Sequence, residues 1–407
     1  MDLIEGHTPI APPPGVPIWD IDPYDDAILT NPTAYYAELR AKGPFVYIPK
    51  YSVLACGRYA ETREVFSDHE RFVSSRGVGL LDFKIADPWR PPSIVLEVDP
   101  PEHSRTRRAI MRALSPKAVA GMREMFREDA EALVDQLLTR DAFDLVDDLA
   151  EVYPTTVFPK AVGLREVNKD YLVSYGAIIF NSLGPDNASR RAGLQRLPAV
   201  AAWIMAQCQR AQLLPGGFGA SLYETADKGE LTHDEAGLLV RSLLSAGVDT
   251  TVTGIGNALW CLAQNPAQFA KLKDDPSKAR NAFEEAMRLT SPVHTFCRTA
   301  GGATEVSGVP IAEGTKILCV LGAANLDPDK FENPEAFDVE RKLMGHLALG
   351  AGVHSCVGQN VARAEGDAIL TAIAQRVDRI EALSDAVWRP NNAIHALDRM
   401  GMRFHSA

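Results

Sequence analysis

Paired cysteines are missing. The six in 407 residues (Cys56, Cys208, Cys261, Cys297, Cys319 and Cys356) are scattered with no Cys-x-x-Cys spacing, which argues against a disulfide framework or a zinc knuckle, so a cysteine that does chemistry acts alone. Also missing is any apolar run approaching the roughly 18 residues of a membrane span. The N-terminus, MDLIEGHTPIAPPPGVP, has acids and prolines where a secretory leader needs a basic and then an apolar stretch; a cytoplasmic protein with no membrane association is expected. Basic charge is in deficit: 42 Lys and Arg against 53 Asp and Glu give a net charge of −11, which argues against non-specific nucleic-acid binding. There is no internal repeat, P-loop, His-Glu-x-x-His or Gly-x-Ser-x-Gly. With 46% hydrophobic and 23% charged residues, what remains has the composition of a packed globular protein.

Prolines 9, 12, 13, 14 and 17 deny the first 20 residues a helix or a central strand, so 1–20 reads as an extended arm and 21–407, which shows no linker, as one domain. Residues 44–57 and 303–321 read as short β runs separated by turns, a small sheet in a mainly α protein. Ser115-Pro116 and Asn265-Pro266 each place a capping residue before a proline at the first helical position. Thr232-His233-Asp234-Glu235 is a capping box, and the next strong stop is Asn265-Pro266, so one central helix is expected over about 233–264, about 48 Å long at 1.5 Å per residue. Its midpoint, Ala246-Gly247-Val248-Asp249-Thr250-Thr251, consists largely of weak helix formers. For Gly247 alone a packing kink suffices; the six together point to a functional site where helical bonds open.

Near the C-terminus, LGAGVHSCVG places Cys356 in a glycine-rich loop directly before a helical pattern, where unpaired N–H groups and the helix dipole favour thiolate. Glycines 350, 352 and 358 let a large flat group approach closely. A lone cysteine is most often a small buried hydrophobe, and no base is set against this one, since His354 need not face the sulfur. Glu285 and Arg288 stand three apart on a helix ending before Pro292, and Arg341 follows in ENPEAFDVERK. After Asp99-Pro100-Pro101, His103 and Arg107 lie one helical turn apart and are placed to hold an anion.

Taken together, these stretches resemble the soluble bacterial cytochromes P-450, the haem-thiolate monooxygenases. The resemblance runs from about residue 20 to the C-terminus. It rests on four motifs in family order: His103 with Arg107, Ala246 to Thr250, Glu285 with Arg288, and the Cys356 loop. One position departs from the pattern: seven residues before the cysteine, where the family has phenylalanine, stands Leu349.

The resemblance implies a cytochrome P-450 fold built around one long central helix and a haem b (iron protoporphyrin IX) cofactor. Cys356 would be the axial ligand, with Leu349 shielding the sulfur. His103, Arg107, Arg298 and His354 would meet the haem propionates, and Glu285, Arg288 and Arg341 would form a buried structural ion-pair cluster behind the cysteine loop. Reductive activation of O2 consumes protons in a dry pocket, which gives Asp249 and Thr250 the catalytic role of proton path.

The substrate reading rests on Arg241 and Ser242 inside the apolar run LLVRSLLSAG, where an unpaired guanidinium is costly and an anion is expected nearby. Arg90 and Ser93, in WRPPS, fall where the family's substrate-covering loop lies. Together these four suit a substrate carboxylate; the alternative is that both arginines make internal ion pairs. The constellation resembles the subfamily that oxidises para-substituted benzoates such as 4-methoxybenzoate by O-demethylation or hydroxylation, and that resemblance adds Phe180 and Phe296 as walls on either side of the ring, Val293 beside the haem, and Leu183 where a phenylalanine is usual. Electrons would come from a separate [2Fe–2S] ferredoxin and its reductase, docking through a basic patch that includes Arg107 or its neighbours Arg105, Arg108 and Arg112. The rival readings are a monooxygenase of another small apolar substrate such as a terpenoid, a haem sensor or storage protein, and a haem-free all-α enzyme.

Overall fold

A computed structural model describes residues 3–406. Helices dominate, and the longest apolar cluster joins those at Arg123–Leu138, Val152–Val162, His233–Ala246, Asp249–Gln264, Ala279–Thr290 and Gln359–Arg376. Beside this helical body lies a five-stranded sheet in the spatial order Val46–Ile48, Val53–Cys56, Lys316–Val320, Thr295–Ala300, Phe72–Val73. Val53–Cys56 runs parallel to Lys316–Val320, with Cys56 opposite Cys319, and the other pairs are antiparallel. The expected β runs at 44–57 and 303–321 fall within these strands and the small hairpin of Thr304–Val306 with Val309–Ile311. Thr295–Ala300 and the strands after residue 378 lie outside those runs. Among the described residues there is no helix before residue 26; Ile18 bridges to Tyr47, and the N-terminal segment lies along the sheet.

The central helix is not one uninterrupted element. A Thr232 capping box starts it as expected, the hydroxyl accepting from Glu235 N while the Glu235 carboxylate accepts from Thr232 N. The helical ladder then breaks at Gly247 and Val248, leaving segments His233–Ala246 and Asp249–Gln264. Hydroxyls take over where amides let go: Thr250 Oγ1 donates to Ala246 O at 2.6 Å and Thr251 Oγ1 to Gly247 O at 3.1 Å. The stretch 233–264 is the one part of the described chain long and apolar enough to cross a membrane, and 67% of its most apolar window is buried inside the protein. The two proline caps differ. Ser115 Oγ accepts from Ala118 N, whereas the Asn265 amide turns back to Cys261 O and caps nothing.

Gly247 sits at the break for lack of room. A Cβ there would lie 2.1 Å from Phe158 Cζ and 2.8 Å from Leu243 O. Gly247→Ala is therefore expected to cost about 1–3 kcal/mol by overpacking. In a double-mutant cycle with Phe158→Leu, followed by urea denaturation, the two changes should be non-additive in the relieving direction; additive costs would show that Phe158 is not the obstacle.

Candidate active site

Cys356 is the last loop residue but two before the helix Gln359–Arg376, whose N-cap is Gly358. The loop is pinned by Cys356 N donating to Leu349 O at 2.7 Å and by Leu347 N donating to Asn325 Oδ1 at 2.6 Å. Gly352 is held at φ +66, and a Cβ there would meet Ser67 O at 2.7 Å, so this turn needs glycine on both counts. Cys356 and Leu349 both face an internal cavity. Burial pushes the Cys356 thiol up, while hydrogen bonds from the Gly358 and Gln359 amides and the charges of Arg107 and Arg363 pull it down less strongly. The amides at the helix N-terminus thus favour thiolate, as the sequence suggests, and act against the cost of burying the charge.

Behind the loop, Glu285 and Arg288 are both fully buried and joined by two bonds of 2.8 Å, and Arg341 Nε donates to Glu285 Oε1 at 2.8 Å. The second cation's excess charge is spread over backbone carbonyls: Arg288 donates to those of Asn325 and Pro334, and Arg341 to those of Glu332 and Asn333. The cluster ties the segment before the cysteine loop to the helix Ala279–Thr290.

Four other donors converge without a hydrogen bond to a carboxylate among the described residues. Arg107 and Arg298 line the cavity, and neither makes an ion pair among the described residues: Arg107 Nη2 donates to Ser355 O at 2.5 Å, and Arg298 Nη1 to Cys297 O at 3.0 Å. His354 lines the cavity too, with Asp99 Oδ1 3.8 Å from its Nε2. His103 does not reach the wall; it lies one layer behind, its ring centroid 4.3 Å from that of His354. No ring nitrogen of either histidine has a hydrogen-bond partner. Burial, reinforced by the neighbouring His354 and Arg107, lowers His103 to about 4. Arginines without a carboxylate partner and imidazoles without a hydrogen bond, beside a cysteine-lined cavity, fit a cofactor bearing carboxylates.

On the opposite wall, Thr250 lines the cavity. Asp249 points away from it and is wholly buried, with neither carboxylate oxygen hydrogen-bonded. Gly176 packs so closely that a Cβ there would strike Asp249 Cβ at 2.5 Å. Burial raises the Asp249 carboxyl, and Arg389, with Nη2 3.6 Å from Oδ1, opposes this. Arg389 also borders a polar cleft lined by Glu151, Lys169 and Asp170. Sequence reasoning missed Arg389, which comes from a C-terminal strand 140 positions away with no local signal.

Arg90, Ser93, Arg241, Ser242, Phe180, Leu183, Val293 and Phe296 all line the same cavity as Cys356. Ser93 Oγ and Ser242 Oγ lie 3.4 Å apart. The two arginines are not equivalent, which corrects the paired reading. Arg90 makes an internal ion pair with Glu97 at 2.9 Å, while Arg241, 5% exposed, donates among the described residues only to the carbonyls of Pro91 and Pro92. Phe180 and Phe296 are in contact with each other, ring centroids 6.4 Å apart and tilted by 56°. A slot between them is excluded, since that spacing is already filled by an aromatic pair; the two rings form one wall. The proposed basic patch is also reduced. Arg105 pairs with Glu235, Arg112 with Glu230, and Arg107 faces the cavity, leaving Arg108 exposed and without an ion pair among the described residues.

Comparison with known proteins agrees with this architecture. A family model described as Cytochrome P450 matches residues 217–380. The chain is 46% identical over 406 residues to cytochrome P450 CYP199A2 of Rhodopseudomonas palustris, spanning 100% of this chain and 98% of that protein. It is 32% identical over 390 residues to the beta-dihydromenaquinone-9 omega-hydroxylase of Mycobacterium bovis, spanning 94% of this chain and 78% of that protein. Among solved structures, cytochrome P450 CYP109Q5 from Chondromyces apiculatus superposes with a TM-score of 0.80 at 28% identity, covering 95% of this chain and 99% of that one. The chain belongs to the cytochrome P450 family. It is a haem b monooxygenase that uses O2 and electrons from a redox partner.

Proposed function

We propose that this monooxygenase acts on small aromatic carboxylic acids, with para-substituted benzoates such as 4-methoxybenzoate as the type. The observation that carries this reading is Arg241, a buried guanidinium on the wall of a largely apolar cavity with no carboxylate within ion-pair distance among the described residues. A ligand carboxylate would supply the missing counter-charge, and Ser93 and Ser242 would add hydroxyl donors. The ring would lie against the common face of Phe180 and Phe296, with Val293 and Leu183 limiting its slide. In this pose the carboxylate is a handle that points the para substituent at Cys356. Oxygen insertion at a methoxy C–H bond gives a hemiacetal, which breaks to formaldehyde and 4-hydroxybenzoate.

Cys356 is proposed as the haem ligand and His103, Arg107, Arg298 and His354 as partners of the propionates. Haem bound there supplies the centre that accepts electrons and activates O2, with thiolate donation favouring O–O cleavage. The chain's own contribution is positional. Leu349 keeps water from the sulfur, and the Gly358 and Gln359 amides stabilise its charge. Glu285, Arg288 and Arg341 fix the segment leading to the loop. Asp249 holds a proton in a dry site and exchanges it with the polar cleft beside Arg389, while the Thr250 hydroxyl, held by Ala246 O, orients the last donor toward the cavity. Electron delivery is assigned to a [2Fe–2S] ferredoxin with a separate reductase, docking near Arg108 on the cysteine-loop side of a cytoplasmic enzyme.

Thr250→Ala should bind substrate with unchanged affinity yet divert reducing equivalents into hydrogen peroxide, read as the ratio of product formed to reductant consumed; normal coupling would remove Thr250 from the proton route. The substrate class is tested by the substrate-induced spin shift. 4-Methoxybenzamide should bind more weakly than 4-methoxybenzoate by about 2–5 kcal/mol, since it leaves the guanidinium unpaired. Equal binding would overturn the carboxylate reading and leave the monooxygenase assignment standing.

A further inference from the structure

Arg90 reaches the cavity already engaged. Its Nη1 lies 2.9 Å from Glu97 Oε2 and its Nη2 donates to Glu97 Oε1 at 3.2 Å, so one edge of the guanidinium is spent on a carboxylate of the chain. Nη1 also donates to Pro91 O at 2.9 Å. The Nε–H is buried with no partner, which leaves the side edge of the fork open. Glu97 is in turn fixed: its side chain is 2% exposed, and Oε2 accepts from Ser93 N at 2.7 Å. Arg241 nearby has no such counter-charge and donates to carbonyls instead. The buried glutamate therefore has a consequence for charge. Arg90 and Arg241 contribute +2 and Glu97 contributes −1, which leaves a net +1 at the end of an apolar cavity.

Resting on the carboxylate reading of this cavity, we propose that Glu97 is a specificity-determining residue that balances the charge of the acid-binding end to a single positive unit, matching it to a monoanion. With Arg90 neutralised, Arg241 is the charge the ligand sees, and the open edge of Arg90 donates hydrogen bonds without a second net charge. A cavity end at +2 would bind acids more tightly but would pull charged ligands in general. A cavity end at +1 releases a monoacid product whose carboxylate is the same as the substrate's. Coulomb attraction at separations of a few ångströms in a half-buried site is strong enough for one unit of charge to change affinity by tenfold or more.

The test is a titration of 4-methoxybenzoate and 4-methoxybenzamide into the holoenzyme and its Glu97→Gln and Glu97→Asp variants, followed by the spin shift. The amide reports an intact cavity and should bind all three proteins alike. Glu97→Gln keeps an acceptor for Ser93 N but frees the Arg90 charge, so the preference for acid over amide should rise by about tenfold or more. Glu97→Asp keeps the charge and should retain the wild-type preference. An unchanged or diminished preference in Glu97→Gln overturns the proposal and reduces Glu97 to a brace for the loop. If the wild type itself shows no preference for the acid, it is the carboxylate reading that fails. Should Glu97→Gln lose amide binding through misfolding, Arg90→Gln takes its place: the remaining Glu97 charge should lower the preference by about tenfold or more, and an unaltered preference overturns the proposal.

Discussion

Buried charge without a protein counter-charge is the constraint around which this molecule is organised. Most ionic groups in the interior are answered within the chain, as where Glu285 receives both Arg288 and Arg341 and backbone carbonyls absorb the surplus. Around the cavity that rule lapses. Arg107, Arg298 and Arg241 hold carbonyls rather than carboxylates, and the ring nitrogens of His103 and His354 make no hydrogen bond among the described residues, with Asp99 Oδ1 3.8 Å from His354 Nε2. Burying such groups is expensive unless something answers them. The end beside Cys356 accordingly fits a cofactor with carboxylates, and the end beside Arg241 is where the proposed substrate carboxylate would be answered.

The interruption of the central helix serves the same end. A continuous ladder through Gly247 and Val248 would carry every amide and carbonyl in pairs and leave no place for a polar group facing the cavity. The break leaves carbonyls that the hydroxyls of Thr250 and Thr251 satisfy, and Asp249 is set behind the wall in the dry space under Gly176. Its only near charge is Arg389 at 3.6 Å among the described residues, which opens toward a polar cleft.

Much of this was legible in the sequence because it is local. The capping box at Thr232, the weak helix formers at 246–251, the glycine loop at 350–358 and the Glu285–Arg288 spacing all lie within a few residues of each other, and family resemblance joined them into one site. What escaped was long-range or competitive. Arg389 comes to Asp249 from a strand that no periodicity announced. Glu97 takes Arg90 because the chain turns back on itself after Pro91 and Pro92, and sequence alone treats both arginines as equal. The mutual contact of Phe180 and Phe296, and the pairing of Arg105 and Arg112 with Glu235 and Glu230, likewise depend on which elements pack together. The thiol of Cys356 shows the same limit in energetic form: position at a helix start is visible in the sequence, and the desolvation that opposes it is not.

The central claim, that the cavity's cysteine and unanswered cations form a haem-thiolate site, is tested most directly by the absorption spectrum of the reduced protein under carbon monoxide, recorded for the wild type and for Cys356→Ala. The account predicts a red-shifted thiolate-type band in the wild type and its loss in the variant. A wild type without that band, or a variant that keeps it, would contradict the account.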